Sequence, residues 1–185
     1  ATPNLPWWSF GKSVIALAAL NLVEKGKLDL DAPHLGAPYT LRQLLLHRSG
    51  LADYGPLRDY HEAVSRGDEP WPLEELELRC AAEQLRFTPG TRFLYSNIGY
   101  EKVCRAIEQA HGAPLGEALH DLVLGPAGVS AKLAARDEEV AALPPNYHLG
   151  WVYHGLIAGS VAEAALVLDA FAHGAFMGPA LADEA

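Results

Sequence analysis

Ser9-Phe10-Gly11-Lys12 places a hydroxyl and an amine three residues apart at the start of a run that reads as helix, and that spacing is close to one helical turn. An amine beside a serine hydroxyl can help remove its proton if burial and neighbours make the neutral form accessible, or if it steadies a nearby phenolate. A helix N-terminus adds positive potential where an oxyanion would form. The geometry suits an activated nucleophile. Seven serines and five lysines in 185 residues yield about 0.2 such pairs by chance. Taken alone, then, the tetrapeptide equally describes a serine N-cap followed by a solvated lysine.

A second pair lies far along the chain. In Phe87-Thr-Pro-Gly-Thr-Arg-Phe-Leu-Tyr-Ser-Asn-Ile-Gly-Tyr100, Tyr95 and Asn97 stand two apart where an extended segment gives way to a helix. A phenol there can carry a proton in a cleft, and the amide offers both a donor and an acceptor. The same residues also suit a core tyrosine and an asparagine helix cap.

The elements that must position these groups are mostly helical. Val14, Ile15, Leu17, Ala18, Leu20, Leu22 and Val23 predict a largely buried helix over about 9–25, closed by Gly26 in a left-handed cap. Thr40-x-x-Gln43 is a capping box opening a short helix through Leu46 to His47, which Ser49-Gly50 ends. A loop containing Gly55-Pro56 and Gly67 follows. Pro70-Trp-Pro72 then precedes a helix over about 73–85, and Thr88-Pro89-Gly90 is a turn. Ile98, Val103, Cys104 and Ile107 against Glu101, Lys102, Arg105 and Glu108 make an amphipathic helix over 97–110, capped by Gly112. Further helices are expected over 114–123 and 160–172. Only Arg92–Ser96 and Leu149–Ile157 read as strand.

Composition bounds the function. The chain has 185 residues, 50% of them hydrophobic, 14 Lys+Arg against 23 Asp+Glu and a net charge of −9, which is ample for one cored domain. The acidic balance, with no basic run, argues against a nucleic-acid surface, whose affinity comes from neutralising phosphates. Val14–Val23 is too short to span a bilayer. The first eight residues carry no basic and apolar leader pattern, and the compartment is left open. Cys80 and Cys104 are too few for a disulfide framework, although one bridge is allowed by the count. Eight histidines raise a metal site, yet His61-Glu62 meets Ser65 and Arg66 where a zinc-binding helix would continue to a second histidine, so neither metal nor cofactor is expected. Gly150, Gly155 and Gly159 are too spread for a dinucleotide loop and read as turns. Trp7, Trp71 and Trp151 suit core or cleft lining, while Trp8, next to Ser9, could contact an acyl group.

Four blocks in order carry a family resemblance. These are Ser9-Phe-Gly-Lys12 running into Leu22-Val-Glu-Lys-Gly-Lys-Leu-Asp-Leu-Asp-Ala-Pro33; then Leu41-Arg-Gln-Leu-Leu-Leu-His-Arg-Ser-Gly-Leu51; then Phe87 to Tyr100; then Leu149-Gly-Trp-Val-Tyr-His-Gly-Leu-Ile-Ala-Gly-Ser160. Together they resemble the serine β-lactamase-like hydrolases: class C β-lactamases, penicillin-binding-protein-like peptidases and related esterases. The resemblance implies a mainly α chain, the helical portion of the α+β β-lactamase/transpeptidase-like fold, with little sheet. It implies Ser9 as the acylated nucleophile, Lys12 as its partner, Tyr95 as the residue assisting proton transfer and Asn97 as a substrate-contacting amide. Half of the oxyanion hole would be the Ser9 N–H. His47, in the second block, is expected to be packed or hydrogen-bonded rather than catalytic. The substrate would be a small-molecule or peptide carbonyl: a lactam, D-amino peptide, ester or lactone.

Members of this family begin with strands before the nucleophile and end with strands, one bearing Lys-Thr-Gly or His-x-Gly. The expectation is therefore a single β-lactamase-like domain over 1–185, incomplete at both ends. His148-x-Gly150 spells the last motif but precedes the glycine-rich block instead of following it, and His154-Gly155 and His173-Gly174 fit less well. An incomplete sheet would leave a helical face uncovered and open to self-association. That supports a second reading, a non-catalytic helical interaction module.

Overall fold

Alanine and leucine fill the first long helix, and both are strong helix formers. In the computed structural model, which describes residues 3–182, α1 (Gly11–Glu24) buries Val14, Ile15, Leu17, Ala18, Ala19, Leu20 and Leu22. Gly26, at φ +67°, ends it as expected: the N–H of Gly26 reaches Val23 O at 2.9 Å and that of Lys27 reaches Leu22 O at 2.8 Å, the paired bonds of a left-handed helix stop.

The chain forms two compact units. The first is drawn from Ala1–Leu28, Cys104–Leu143 and Gly155–Ala185. It holds α1 together with α6 (Leu115–Leu119), which continues into a π turn over His120–Leu124. It also holds α7 (Val161–Ala172), α8 (Pro179–Ala182) and the sheet. Three short strands make that sheet: β1 (Leu5–Pro6), β2 (Lys132–Leu133) and β3 (Ile157–Gly159), in the order β1-β3-β2, all antiparallel. The proline is on an edge strand, where its missing N–H is tolerated. Gly159 in the central strand is required by space: a Cβ there would stand 2.6 Å from Ala131 Cβ and 2.8 Å from the Trp7 ring. Gly155, at φ +82°, is the turn that the sequence suggests.

Ser160-x-x-Glu163 opens α7 with a capping box. Glu163 accepts the Ser160 N–H and hydroxyl, each at 2.8 Å, and the Ser130 N–H at 2.8 Å. Beyond that cap, α7 buries Val167 and leaves Val161, Leu166 and Leu168 exposed at 71%, 49% and 49%.

The second unit, Asp29–Val103 and Pro144–His154, holds α2 (Leu41–Leu45), α3 (Arg58–Arg66), α4 (Leu73–Arg79) and the first turns of α5 (Asn97–His111). Both bonds of the Thr40/Gln43 capping box are present. α3 falls in the stretch expected to be loop. It buries Ala63 and sets Tyr60 against the Trp151 ring, with ion pairs of Arg58 with Glu62 at 2.7 Å and of Asp59 with Arg79 at 3.2 Å, so Tyr60, Ala63 and Val64 alone mark its apolar period. The core of this unit is aromatic. Trp151 is fully buried, with Tyr60 and Trp71 edge-on at 5.4 and 5.1 Å, and its carbonyl accepts the Tyr54 hydroxyl at 2.9 Å. Burial pushes the Tyr54 phenol well above its ordinary value.

Two strand expectations are corrected. Residues 92–96 form no strand, because Leu94 and Ser96 bond to His47 and Ala52 in the segment after α2. Leu149–Trp151 is a 3-10 turn, with strand beginning only at Ile157. The mainly α expectation holds: about 48% of the chain is helical, with one three-stranded sheet. Among the described residues no helix is long and apolar enough to cross a membrane. Cys80 and Cys104 are both buried, and no disulfide joins them.

Trp151→Ala is expected to destabilise the second unit by about 3–5 kcal/mol, measurable by chemical denaturation followed by circular dichroism. The Glu163 carboxyl lies below its ordinary 4.5, held chiefly by the Ser160 N–H. Because the folded value is the lower one, this contribution is present at neutral pH and fades as pH falls below about 4. The gap in Tm between wild type and Glu163→Gln should therefore be widest near pH 7 and close near pH 3.

Candidate active site

Ser9 sits where the first unit changes from strand to helix. The Trp7 N–H donates to Ile157 O at 2.8 Å, and a 3-10 turn over Trp8–Phe10 follows, with the N–H groups of Phe10 and Gly11 converging on Trp7 O at 2.8 and 3.3 Å. Trp8 lies at φ +36°, a left-handed conformation that a bulky side chain adopts only under constraint, and such strain gathers at functional sites. The turn leaves Ser9 exposed, whereas Lys12, one helical turn on, is 5% exposed. These positions remove the alternative of a capping serine with a solvated lysine. Phe10, without a side-chain cap bond, stands at the N-cap of α1. Trp8 is 38% exposed beside the hydroxyl, and Trp7 is buried against Phe10 at 5.2 Å.

Tyr95 and Asn97 belong to the second unit, on the residues leading into α5. Three consecutive residues there are each held by the segment that follows α2. The Tyr95 ring lies 4.4 Å from the His47 ring, which Tyr100 flanks at 5.0 Å and Phe93 meets edge-on at 5.8 Å. Ser96 donates its N–H to His47 Nδ1 at 3.1 Å and its hydroxyl to Ala52 O at 2.7 Å. Asn97 donates both its backbone N–H and its Nδ2 to Asp53 Oδ1, at 2.8 and 3.0 Å. The cap of α5 is therefore Ser96, whose hydroxyl accepts the Gly99 N–H at 3.0 Å, rather than the asparagine.

His47 is packed and hydrogen-bonded, as expected. An Nδ1 that accepts carries no proton, so the ring is held as the Nε2–H tautomer. Its backbone lies at φ +55°, and its carbonyl accepts the Leu94 N–H at 2.9 Å. Asp53 is the residue that the motif reading missed. The signal was a carboxylate a few residues beyond the histidine block, at a position that looks like ordinary loop.

The remaining candidates have local explanations. His148 Nδ1 accepts the Gly150 N–H at 2.9 Å and caps the 3-10 turn over Leu149–Trp151, so His148-x-Gly150 forms a turn and not a strand. His61 Nε2 meets Gly55 O at 2.7 Å. Among the described residues, no three His, Cys, Asp or Glu side chains gather as a metal-binding group. A cavity of about 660 Å³ in the second unit is walled by Tyr39, Leu51, Glu77, Leu78, Leu85 and Lys102, and by none of the four predicted site residues.

With this geometry in view, the sequence matches the Beta-lactamase family over residues 5–153, most of the chain. The chain belongs to the Beta-lactamase family. Esterase EstB of Burkholderia gladioli is 32% identical over 164 residues, covering 77% of this chain and 41% of the esterase. Among solved structures, the D-stereospecific amidohydrolase from Streptomyces sp. superposes with a TM-score of 0.78 at 20% identity, over 98% of this chain and 64% of that one. The penicillin-binding protein from Bacillus halodurans gives 0.76 at 19% identity, over 99% and 62%. The chain thus spans less than two thirds of each of these relatives. The structural likenesses establish the β-lactamase/transpeptidase-like fold.

The left-handed backbone at His47 inverts an ordinary rule. His47→Gly should be more stable than His47→Ala by about 1 kcal/mol, because a Cβ is penalised at that φ. Urea denaturation of the two variants measures the difference, and the usual order, alanine above glycine, would show that the backbone there is not constrained.

Proposed function

We propose that the chain is a serine hydrolase working by acyl transfer on an amide, lactam or ester carbonyl. Ser9 is its nucleophile, Lys12 and Tyr95 its proton-transfer groups, and Asn97 its substrate-contacting amide. The observation that carries the reading is the strained turn at Trp8, which presents the Ser9 hydroxyl at the start of α1 while Lys12 is buried one turn along. The relatives named as an esterase and a D-stereospecific amidohydrolase support it, since those names describe hydrolysis of esters and amides.

In this mechanism Ser9 Oγ bonds to the carbonyl carbon as its proton passes to a proton-transfer group, the role proposed for Lys12 and for Tyr95. The resulting oxyanion is stabilised by the Ser9 N–H at the turn, together with the positive end of α1. The tetrahedral intermediate collapses, the leaving amine or alkoxide takes up the proton, and an acyl ester on Ser9 remains. Water, deprotonated by a group in the same role, then attacks that ester, releasing the carboxylic acid and restoring the hydroxyl.

A fluorophosphonate and a fluorescent penicillin test the assignment. Wild type is expected to become labelled, with Ser9→Ala losing the label and Lys12→Ala slowing it by about a hundredfold or more. Folded protein that reacts with neither probe would overturn the enzymatic reading and favour the interaction module.

A further inference from the structure

We propose that Asp53 is a positioning residue for acyl-group recognition. By fixing which end of the Asn97 amide donates and which accepts, it acts on a substrate only through that amide. The inference rests on the reading of Asn97 as a substrate-contacting group. A primary amide is nearly symmetrical in shape, yet its two ends carry opposite hydrogen-bonding character, and its terminal torsion is broad and roughly two-fold. Left to itself it serves either sense by a half-turn. A carboxylate accepts and never donates, so the end facing Asp53 Oδ1 at 3.0 Å must be the NH2 group.

The carboxylate is itself oriented. Its Oδ1 also takes the Asn97 backbone N–H at 2.8 Å, and its Oδ2 takes the Gly55 N–H at 3.2 Å. A Cβ at Gly55 would stand 2.8 Å from Oδ2, so the glycine lets that turn close on the carboxylate. Reversing the Asn97 amide would set its carbonyl oxygen against a carboxylate oxygen in a half-buried place, two acceptors with no hydrogen between them, which the fold disfavours. An acyl group bearing its own N–H and C=O, such as an acylamino group, is then read in one sense only. A plain alkyl acyl group is indifferent to that sense.

Asp53→Asn keeps the shape but offers one acceptor end where the carboxylate offers two, so the N–H groups of Asn97 and Gly55 can no longer both be met and the constraint on the Asn97 amide is weakened. The probes are p-nitrophenyl N-acetylglycinate and p-nitrophenyl butyrate. On the acylamino ester, Asp53→Asn should lower kcat/KM about tenfold, chiefly through KM, with a loss at least about five times smaller on the butyrate ester. Added to Asn97→Ala it should cost no more than about twofold, because its effect runs through the missing amide. Equal losses on both esters, or full additivity with Asn97→Ala, would overturn the proposal. A readout free of turnover accompanies this: in protein labelled with 15N-asparagine, the Asn97 side-chain amide resonances should move in Asp53→Asn, and unmoved resonances overturn the proposal as well. If wild type turns over neither ester and Ser9 takes no label, the hydrolase reading fails, and the amide spectrum still decides the role of Asp53.

Discussion

Ser96 is 1% exposed, and a polar residue so placed must find every hydrogen-bond partner within the protein. It finds them on His47, Ala52 and Gly99. Its neighbours on either side, Tyr95 and Asn97, are the two groups with chemistry to offer. Satisfying one buried serine therefore sets the path of the backbone that carries both. The aromatic contact of Tyr95 with His47 and the hydrogen bonds of Asn97 to Asp53 complete a hold in which each of three consecutive residues is tied to the segment 47–53.

The first unit solves a different problem by backbone geometry. Its nucleophile candidate is set by a strand, a tight turn and a helix in immediate succession. The left-handed residue at Trp8 absorbs the change of direction. Gly159 allows the Trp7 ring to pack onto the central strand, which anchors the turn from below. Neither solution needs a long sheet, and β1 and β2 each contribute two residues.

Much of this was legible in the chain because the signals were local. Gly26 and Gly112, at φ +67° and +88°, stand where helix stops were read. The capping box at Thr40 was readable from four residues, and the same pattern at Ser160-x-x-Glu163 was there to be read. α3 was not read as helix because its short apolar set, Tyr60, Ala63 and Val64, lies between Gly55-Pro56 and Gly67, which read as loop. The supposed strand at 92–96 has the composition of a strand, but no strand partners it: Leu94 and Ser96 bond instead to His47. Asp53 could not be singled out because its role exists only once residues 44 positions apart are brought together.

The hold on residues 95–97 also bears on timing. A tyrosine or asparagine side chain that swings freely must be ordered at the moment a ligand arrives, and the lost rotamer freedom is subtracted from affinity. Here that entropy is surrendered when the loop after α2 docks, so whatever meets this edge encounters groups already at rest.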